Sequence, residues 1–200
     1  MKPAGISVVI PTHPGRSWDL LGRAVRSVYE QTLRPDEIIL AVDNNKRGAG
    51  ATRQQGLERA GFTHTAFLDS DDEFLPMHLD TLYTVMVDDP DIIMAFTWFT
   101  AVGMPDPLGH FGLPFDPQFP YHSTVTTMVR TDVALECGGF PTAGEGSTPG
   151  CLNDDFVFEL RMCGVATSQN KKIVHIPART WKYHGHGGNT SGRSSHGDAR

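Results

Sequence analysis

Apolar residues fall along this chain in short unbroken runs, separated by stretches of helical spacing. The first run covers residues 6–10 (Ile-Ser-Val-Val-Ile) and is stopped by Pro11; the second covers 37–42 (Glu-Ile-Ile-Leu-Ala-Val) and is stopped by Asp43-Asn44-Asn45. Runs this short and β-branched predict strands buried on both faces, as in a parallel sheet. Between them Leu21, Ala24, Val25, Val28 and Tyr29 recur at intervals of a helical turn, which predicts a helix with Ser17 or Asp19 as its N-cap. The pattern then predicts a helix over 49–60 ended by Gly61, a strand over 65–68, a helix carrying Leu79, Leu82, Tyr83 and Met86, and a strand over 92–96. Alternation of this kind predicts an α/β fold with a mainly parallel central sheet flanked by helices.

Beyond Trp98 the periodicity lapses. Residues 102–121 are rich in proline, glycine and aromatics, which fits a long functional loop or lid and fits a plain surface excursion equally well. A later helix is expected to begin at Asp154 and Asp155, to turn Phe156, Leu160 and Cys163 to the core, and to end at Gly164. The segment 181–200, with Gly185, Gly187, Gly188 and Gly192, is expected to be mobile.

Composition narrows the function classes. The chain has 200 residues, of which 39% are hydrophobic, enough for one domain with a full core. A net charge of -6 argues against a general nucleic-acid binder. From Lys171 onward, six Lys or Arg residues face one acid, Asp198, which suits either an anion site or a solvated basic terminus. Three cysteines without Cys-x-x-Cys spacing indicate neither a disulfide framework nor a zinc ribbon, and a cytoplasmic location is expected. No apolar segment is long enough to span a bilayer, and the first residues have no signal-peptide pattern, so no integral membrane contact is expected.

The candidate chemistry sits at strand ends. Asp69, Ser70, Asp71 and Asp72 follow the apolar run 65–68, so three carboxylates collect where a buried strand leaves its sheet. Crowded carboxylates repel, and a hard cation such as Mn²⁺ or Mg²⁺ relieves that cost while bringing phosphate oxygens with it. Ligands of open α/β sheets bind outside the carboxyl ends of the strands, where Pro11-Thr12-His13 and Asp43-Asn44-Asn45 also fall; a nucleotide crevice is expected there. Gly48-Ala49-Gly50 is neither a dinucleotide fingerprint nor a P-loop. It reads as a helix N-terminus near phosphate or base, with Arg53 either a partner for that ligand or a plain surface arginine. Taken alone, Asp154 and Asp155 could simply complement a helix macrodipole, and Asp43 could be a turn-forming residue.

The order of these pieces resembles the family 2 glycosyltransferases of the GT-A fold. The resemblance runs from Val8-Val9-Ile10-Pro11-Thr12 through Asp43, Arg53, Phe67-Leu68-Asp69-Ser70-Asp71-Asp72 and Cys137-Gly138-Gly139-Phe140. It continues through Asp154-Asp155 with Arg161 to the late His186, Asn189 and Ser191. It implies an inverting, metal-dependent transfer of a sugar from a nucleotide diphosphate to a hydroxyl acceptor, named here only by class: a small molecule, a glycan or a protein. UDP is favoured over GDP because a carboxylate at Asp43 accepts the N3 proton of uracil. The resemblance assigns donor binding to Pro11, Thr12, Asp43, Arg53, Asp69, Ser70 and Gly139, and Mn²⁺ or Mg²⁺ to Asp69 and Asp71. It gives the late metal-ligand histidine as His186, with His184 in reserve, and the catalytic base as Asp155 beside Asp154, where Glu is usual. Two competing readings are a nucleotidyltransferase, which needs a glycine-rich basic loop where this chain has Thr12-His13-Pro14-Gly15-Arg16, and a silent sugar- or protein-binding module.

Overall fold

The computed structural model describes residues 1–106, 109, 111–117, 126–141 and 154–185. In chain order these form β1 (Ile6–Thr12), α1 (Trp18–Tyr29), β2 (Glu37–Val42), α2 (Ala49–Arg59), β3 (His64–Phe67), β4 (Glu73–Phe74), α3 (His78–Asp88), β5 (Ile92–Val102), β6 (Thr127–Arg130), α4 (Thr131–Glu136), α5 (Asp154–Gln169) and β7 (Lys172–His184). Among the described residues the strands join in one sheet of order β2-β1-β3-β6-β5-β7-β4. None of the described helices is long and apolar enough to cross a membrane.

The α/β sandwich is as expected, and the sheet is mixed: its longest ladders are parallel, but it is not purely so. β1 runs parallel to β2 and β3, and β5 parallel to β7, whereas β6 is antiparallel to β3 and β5, and β4 antiparallel to β7. Parallel pairing needs a crossover that carries the chain back across the sheet, usually a helix. The helices α1 and α2 supply it around β1, while no helix is described between β5 and β6, and the chain returns in the opposite sense.

β1 shows why its run lacks polar alternation. Ile6, Val8 and Ile10 pack with Leu21, Ala24 and Val28 of α1 and Leu79, Leu82 and Met86 of α3. Val9 faces the other way, onto Leu57 of α2 and Phe158 and Met162 of α5. Both faces are covered, so every position is apolar or small. Pro11 does not stop the strand: pairing with β2 continues through Pro11↔Ala41 to Thr12↔Val42, while pairing with β3 has already ended at Val9↔Phe67.

The last helix and strand depart further from the sequence reading. α5 passes through Gly164 and ends where Asn170 takes a left-handed conformation (φ 53°), the Lys171 N–H closing on the Ala166 carbonyl at 2.8 Å. Its buried stripe is Phe158, Met162, Cys163 and Ala166; Leu160 points outward and Phe156 is half-buried. β7, which the sequence pattern does not announce, contains Pro177. Opposite Phe96 and Trp98 its register jumps from His175 to Arg179, so the proline occupies an irregularity where no ladder N–H is missed. The strand then recovers and pairs Lys182 with Glu73 and His184 with Val102, which carries its end to the acidic turn after β3. Residues 181–185 of the segment expected to be mobile therefore lie in or beside a strand, and 186–200 lie outside the described residues.

The described part of the 102–121 stretch lies against the sheet. Asp106 accepts the Trp98 Nε1–H at 2.9 Å, the Leu113 carbonyl meets His175 Nδ1 at 2.7 Å, and the Arg179 guanidinium lies 4.3 Å from the centre of the Phe111 ring.

The close approach of α2 to β1 depends on Gly56, where an added Cβ would stand 2.3 Å from Val9 Cγ1. Val9 is fully buried and β-branched, so it has little room to turn aside. Gly56→Ala is expected to lower unfolding free energy by about 1–3 kcal/mol despite the better helix propensity of alanine. Urea unfolding checks this: the midpoint should fall with an unchanged slope, and an equal or higher midpoint would show that α2 can shift outward freely.

Candidate functional site

β1, β2 and β3 end at one edge of the sheet, and the turns that follow them close a cleft of about 670 Å³. Its walls are Pro11 and Thr12 at the end of β1 with residues 13–16 after it, Asp43, Asn44 and Lys46 after β2, Gly48, Ala49, Thr52 and Arg53 at the start of α2, residues 69–72 after β3, and Tyr183 from β7. Seven positions singled out in the sequence thus meet in space: Pro11, Thr12, Asp43, Arg53, Asp69, Ser70 and Asp71. Three polar atoms on this wall, Thr12 Oγ1, Arg16 Nε and Arg53 Nε, are buried without a hydrogen-bond partner. Buried polar groups are normally paired, so each of these atoms leaves a hydrogen-bonding position open among the described residues.

Asp69, Asp71 and Asp72 each offer an oxygen, and these atoms all lie within 4.8 Å of one another. An all-oxygen set of this size suits a hard divalent cation such as Mg²⁺ or Mn²⁺. The trio is held from several sides. Arg53 Nη2 donates to Asp69 Oδ1 at 2.5 Å, Arg16 Nη1 to Asp71 Oδ2 at 3.1 Å, Arg23 Nη2 to the Asp71 carbonyl at 2.6 Å, and the His184 N–H to Asp72 Oδ1 at 3.0 Å. Burial, with the charges of Asp69 and Asp71 added to it, pushes the Asp72 carboxyl up to about 9. The cluster therefore resists three negative charges, which is the condition a bound cation relieves. Burial works against the charge on Arg53 too, yet Asp69, Asp155 and Asp154 outweigh it and hold the guanidinium above its ordinary value.

Asp43 closes the turn into α2. Its Oδ1 accepts N–H groups from Arg47 at 2.9 Å and Asn45 at 3.2 Å, and its Oδ2 accepts the Gly48 N–H at 2.9 Å. The Arg47 amide, joined by those of Gly48 and Asn45, holds the carboxyl below its usual range. A carboxylate has about four acceptor positions, so an ionised Asp43 with three in use keeps one for an N–H donor in the cleft. The turn-forming reading and the base-holding reading are compatible.

Asp154 and Asp155 do not line this cleft. Asp154 Oδ2 accepts the Gly50 N–H at 3.0 Å and so caps α2 from another element, which Gly48 at the N-cap position cannot do with a side chain. Asp155 meets the N–H of its own neighbour Phe156 at 3.1 Å, and both acids lie within electrostatic reach of Arg53. Gly139 is likewise absent from the cleft wall. Gly138 and Gly139 have positive φ, their carbonyls accept from Arg161 Nη1 at 2.7 and 2.9 Å, and the turn they make lays the Phe140 ring 5.9 Å from the Arg53 guanidinium. The His184 ring lies against Glu73 at 3.3 Å and is not part of the carboxylate group, while His186 lies outside the described residues.

Three contributors carry no signal in the sequence. Arg23 sits on the polar side of α1 with nothing to set it apart, and Tyr183 falls in a segment whose glycines suggest a mobile tail. Arg16 stands in a loop otherwise poor in basic residues, and its single charge goes directly to Asp71.

The family model for "Glycosyl transferase family 2" matches residues 41–140, half of the chain. The chain belongs to that family. It has the GT-A fold, and solved structures repeat its architecture. The S. aureus protein TarS, residues 1–349 in complex with UDP-GlcNAc, superposes with a TM-score of 0.72 at 17% identity over 94% of this chain and 60% of that one. The same TarS fragment with UDP gives a TM-score of 0.66 at 17% identity, covering 92% of this chain and 61% of that one. The chain thus spans about three fifths of those TarS fragments. No curated protein sequence matches it.

Asp154→Ala is expected to lower unfolding free energy by about 1 kcal/mol, the usual cost of losing a cap, and Asp155→Ala by less. Denaturant unfolding of both variants decides it; equal losses would show that the Gly50 contact is no cap.

Proposed function

We propose that this chain is a glycosyltransferase that takes a sugar from a UDP donor, with UDP-GlcNAc the first donor to test, and transfers it with inversion to a hydroxyl acceptor. The observation that carries this reading is the convergence of the Asp43 acceptor, the buried unpaired atoms of Thr12 and Arg53, and the Asp69, Asp71 and Asp72 cluster on one cleft. The fold shared with TarS structures that hold UDP and UDP-GlcNAc supports the choice of nucleotide.

In this reading the free acceptor position of Asp43 takes the uracil N3–H, and Thr12 and Ser70 line the nucleoside side of the cleft. Asp69, Asp71 and Asp72 hold Mn²⁺ or Mg²⁺, with His186 the further ligand proposed from beyond the described residues. When bound, the cation offsets the charge that builds on the departing diphosphate. Arg53 keeps Asp69 fixed through its 2.5 Å contact. Asp155 accepts the proton of the acceptor hydroxyl as that oxygen attacks the anomeric carbon from the face opposite the leaving group. Asp154 acts on it from a distance, by tying the start of α5 to the start of α2.

Asp71→Ala is expected to weaken UDP binding in the presence of Mn²⁺ by about tenfold or more, as loss of a charged contact does. Calorimetry with and without the cation tests this, and unchanged affinity with unchanged cation dependence would place the donor site elsewhere. Asp155→Asn is expected to keep UDP affinity and to lower turnover of UDP-GlcNAc by about 10²–10⁴. Near-normal turnover, read as UDP released, would move the base to another residue.

A further inference from the structure

The geometry points to Arg16 as an exchangeable counter-ion: it neutralises Asp71 in the free enzyme and passes to a phosphate oxygen when cation and nucleoside diphosphate enter. The inference rests on the proposed cation site at Asp69, Asp71 and Asp72.

Among the described residues three arginines reach the acidic turn, and they are held unequally. Arg53 is buried, 6% exposed, and grips Asp69 at 2.5 Å; Arg23 grips a backbone carbonyl at 2.6 Å. Both belong to helices, α2 and α1. Arg16 comes from the loop between β1 and α1 and touches Asp71 at 3.1 Å with a side chain 21% exposed. Its Nε, like those of the other two, is buried without a partner. Of the three, Arg16 has the longest contact, and its backbone lies in a turn closed by the Arg16 N–H to the His13 carbonyl at 2.9 Å. It is the one that can leave the acidic turn without disturbing a helix.

Its position also makes movement necessary. A divalent cation held by Asp71 would stand close to the guanidinium that Asp71 Oδ2 meets at 3.1 Å, and the two positive groups repel. A cation arriving alone must displace Arg16 and leave it without a carboxylate. A cation arriving with a diphosphate brings acceptor oxygens that suit the planar fork of arginine, including the unpaired Nε–H. Cation and nucleotide then assist each other, and the linkage is reciprocal: each raises the affinity for the other by the same factor. Arg16 is in this sense a positioning residue that enforces joint loading of the cleft.

The test measures Mn²⁺ binding by electron paramagnetic resonance, with and without UDP, on the whole chain and on Arg16→Gln and Arg16→Lys. The wild type should bind Mn²⁺ weakly alone and more tightly with UDP. Arg16→Gln should bind Mn²⁺ alone about two- to fivefold more tightly, the range for losing a partly exposed ion pair, and UDP should improve that affinity by a smaller factor than in the wild type. Arg16→Lys, which keeps the charge without the fork, should leave the affinity for Mn²⁺ alone near the wild-type value and still reduce the factor. If Arg16→Gln or Arg16→Lys, folded by circular dichroism, keeps the wild-type factor, the exchange is overturned while the cation site stands. If the wild type binds no Mn²⁺ in either condition, the cation site and the exchange fall together.

Discussion

Three carboxylates within 4.8 Å of one another at the end of a buried strand are the constraint around which this molecule is arranged. Burial, with the neighbouring carboxylates added to it, pushes the Asp72 carboxyl up to about 9. Positive groups have to be brought to the cluster from elsewhere in the chain. Arg53 arrives on α2, Arg23 on α1 and Arg16 on the loop that joins β1 to α1, so three separate segments each deliver one guanidinium to the same turn. The cluster is placed by β3, and its charge balance is set by the segments that flank β1.

Helix α2 links the two halves of the site. It lies close to β1 because Gly56 leaves room for Val9, and its Gln54 Oε1 accepts the Phe140 N–H at 2.9 Å. Its N-terminus, which has no capping side chain of its own, borrows Asp154 from α5. Gly50 permits this approach, since an added Cβ there would stand 2.5 Å from Asp154 Cβ. The residues proposed to hold the donor and those proposed to activate the acceptor are therefore parts of one connected unit, with Arg53 within electrostatic reach of both. Movement of α2 would disturb the Asp69 contact and the Asp154 contact together.

Much of this is legible in the chain. A strand buried on both faces must be apolar throughout, which marks β1 at 6–10; the run at 37–42 marks β2 as well, although β2 is an edge strand whose Leu40 and Val42 are exposed, and helical spacing marks α1, α2 and α3. The polar residues that end such runs have to lie at the carboxyl edge, which is why pattern alone assigns Thr12, Asp43 and Asp69 to one cleft. β4 escapes it because two residues leave too few positions for a period to register, and β6 because Met128 and Val129 are its only apolar pair, set between Thr127 and Arg130. β7 escapes it because Pro177 and the glycines beyond it read as strand breakers, whereas the register irregularity opposite Phe96 and Trp98 absorbs the proline. The phase of α5 misleads because Leu160 is apolar yet exposed, while Phe158, Met162 and Ala166 form the stripe that meets the core.

By itself, then, the sequence determined the alternation of strands and helices, the sheet edge that carries the acids, and the resemblance to family 2 glycosyltransferases, because each follows from local pattern or ordered motif. Tertiary structure alone decided which partner each charged group takes. Asp154 could complement its own helix or cap another, and only the packing of α5 on α2 sends it to Gly50. Arg16 and Arg23 look like ordinary surface cations until the turn after β3 is folded against them. Charge pairing between residues 55 positions apart is set by where the backbone runs in space, and no local period in the chain encodes that distance.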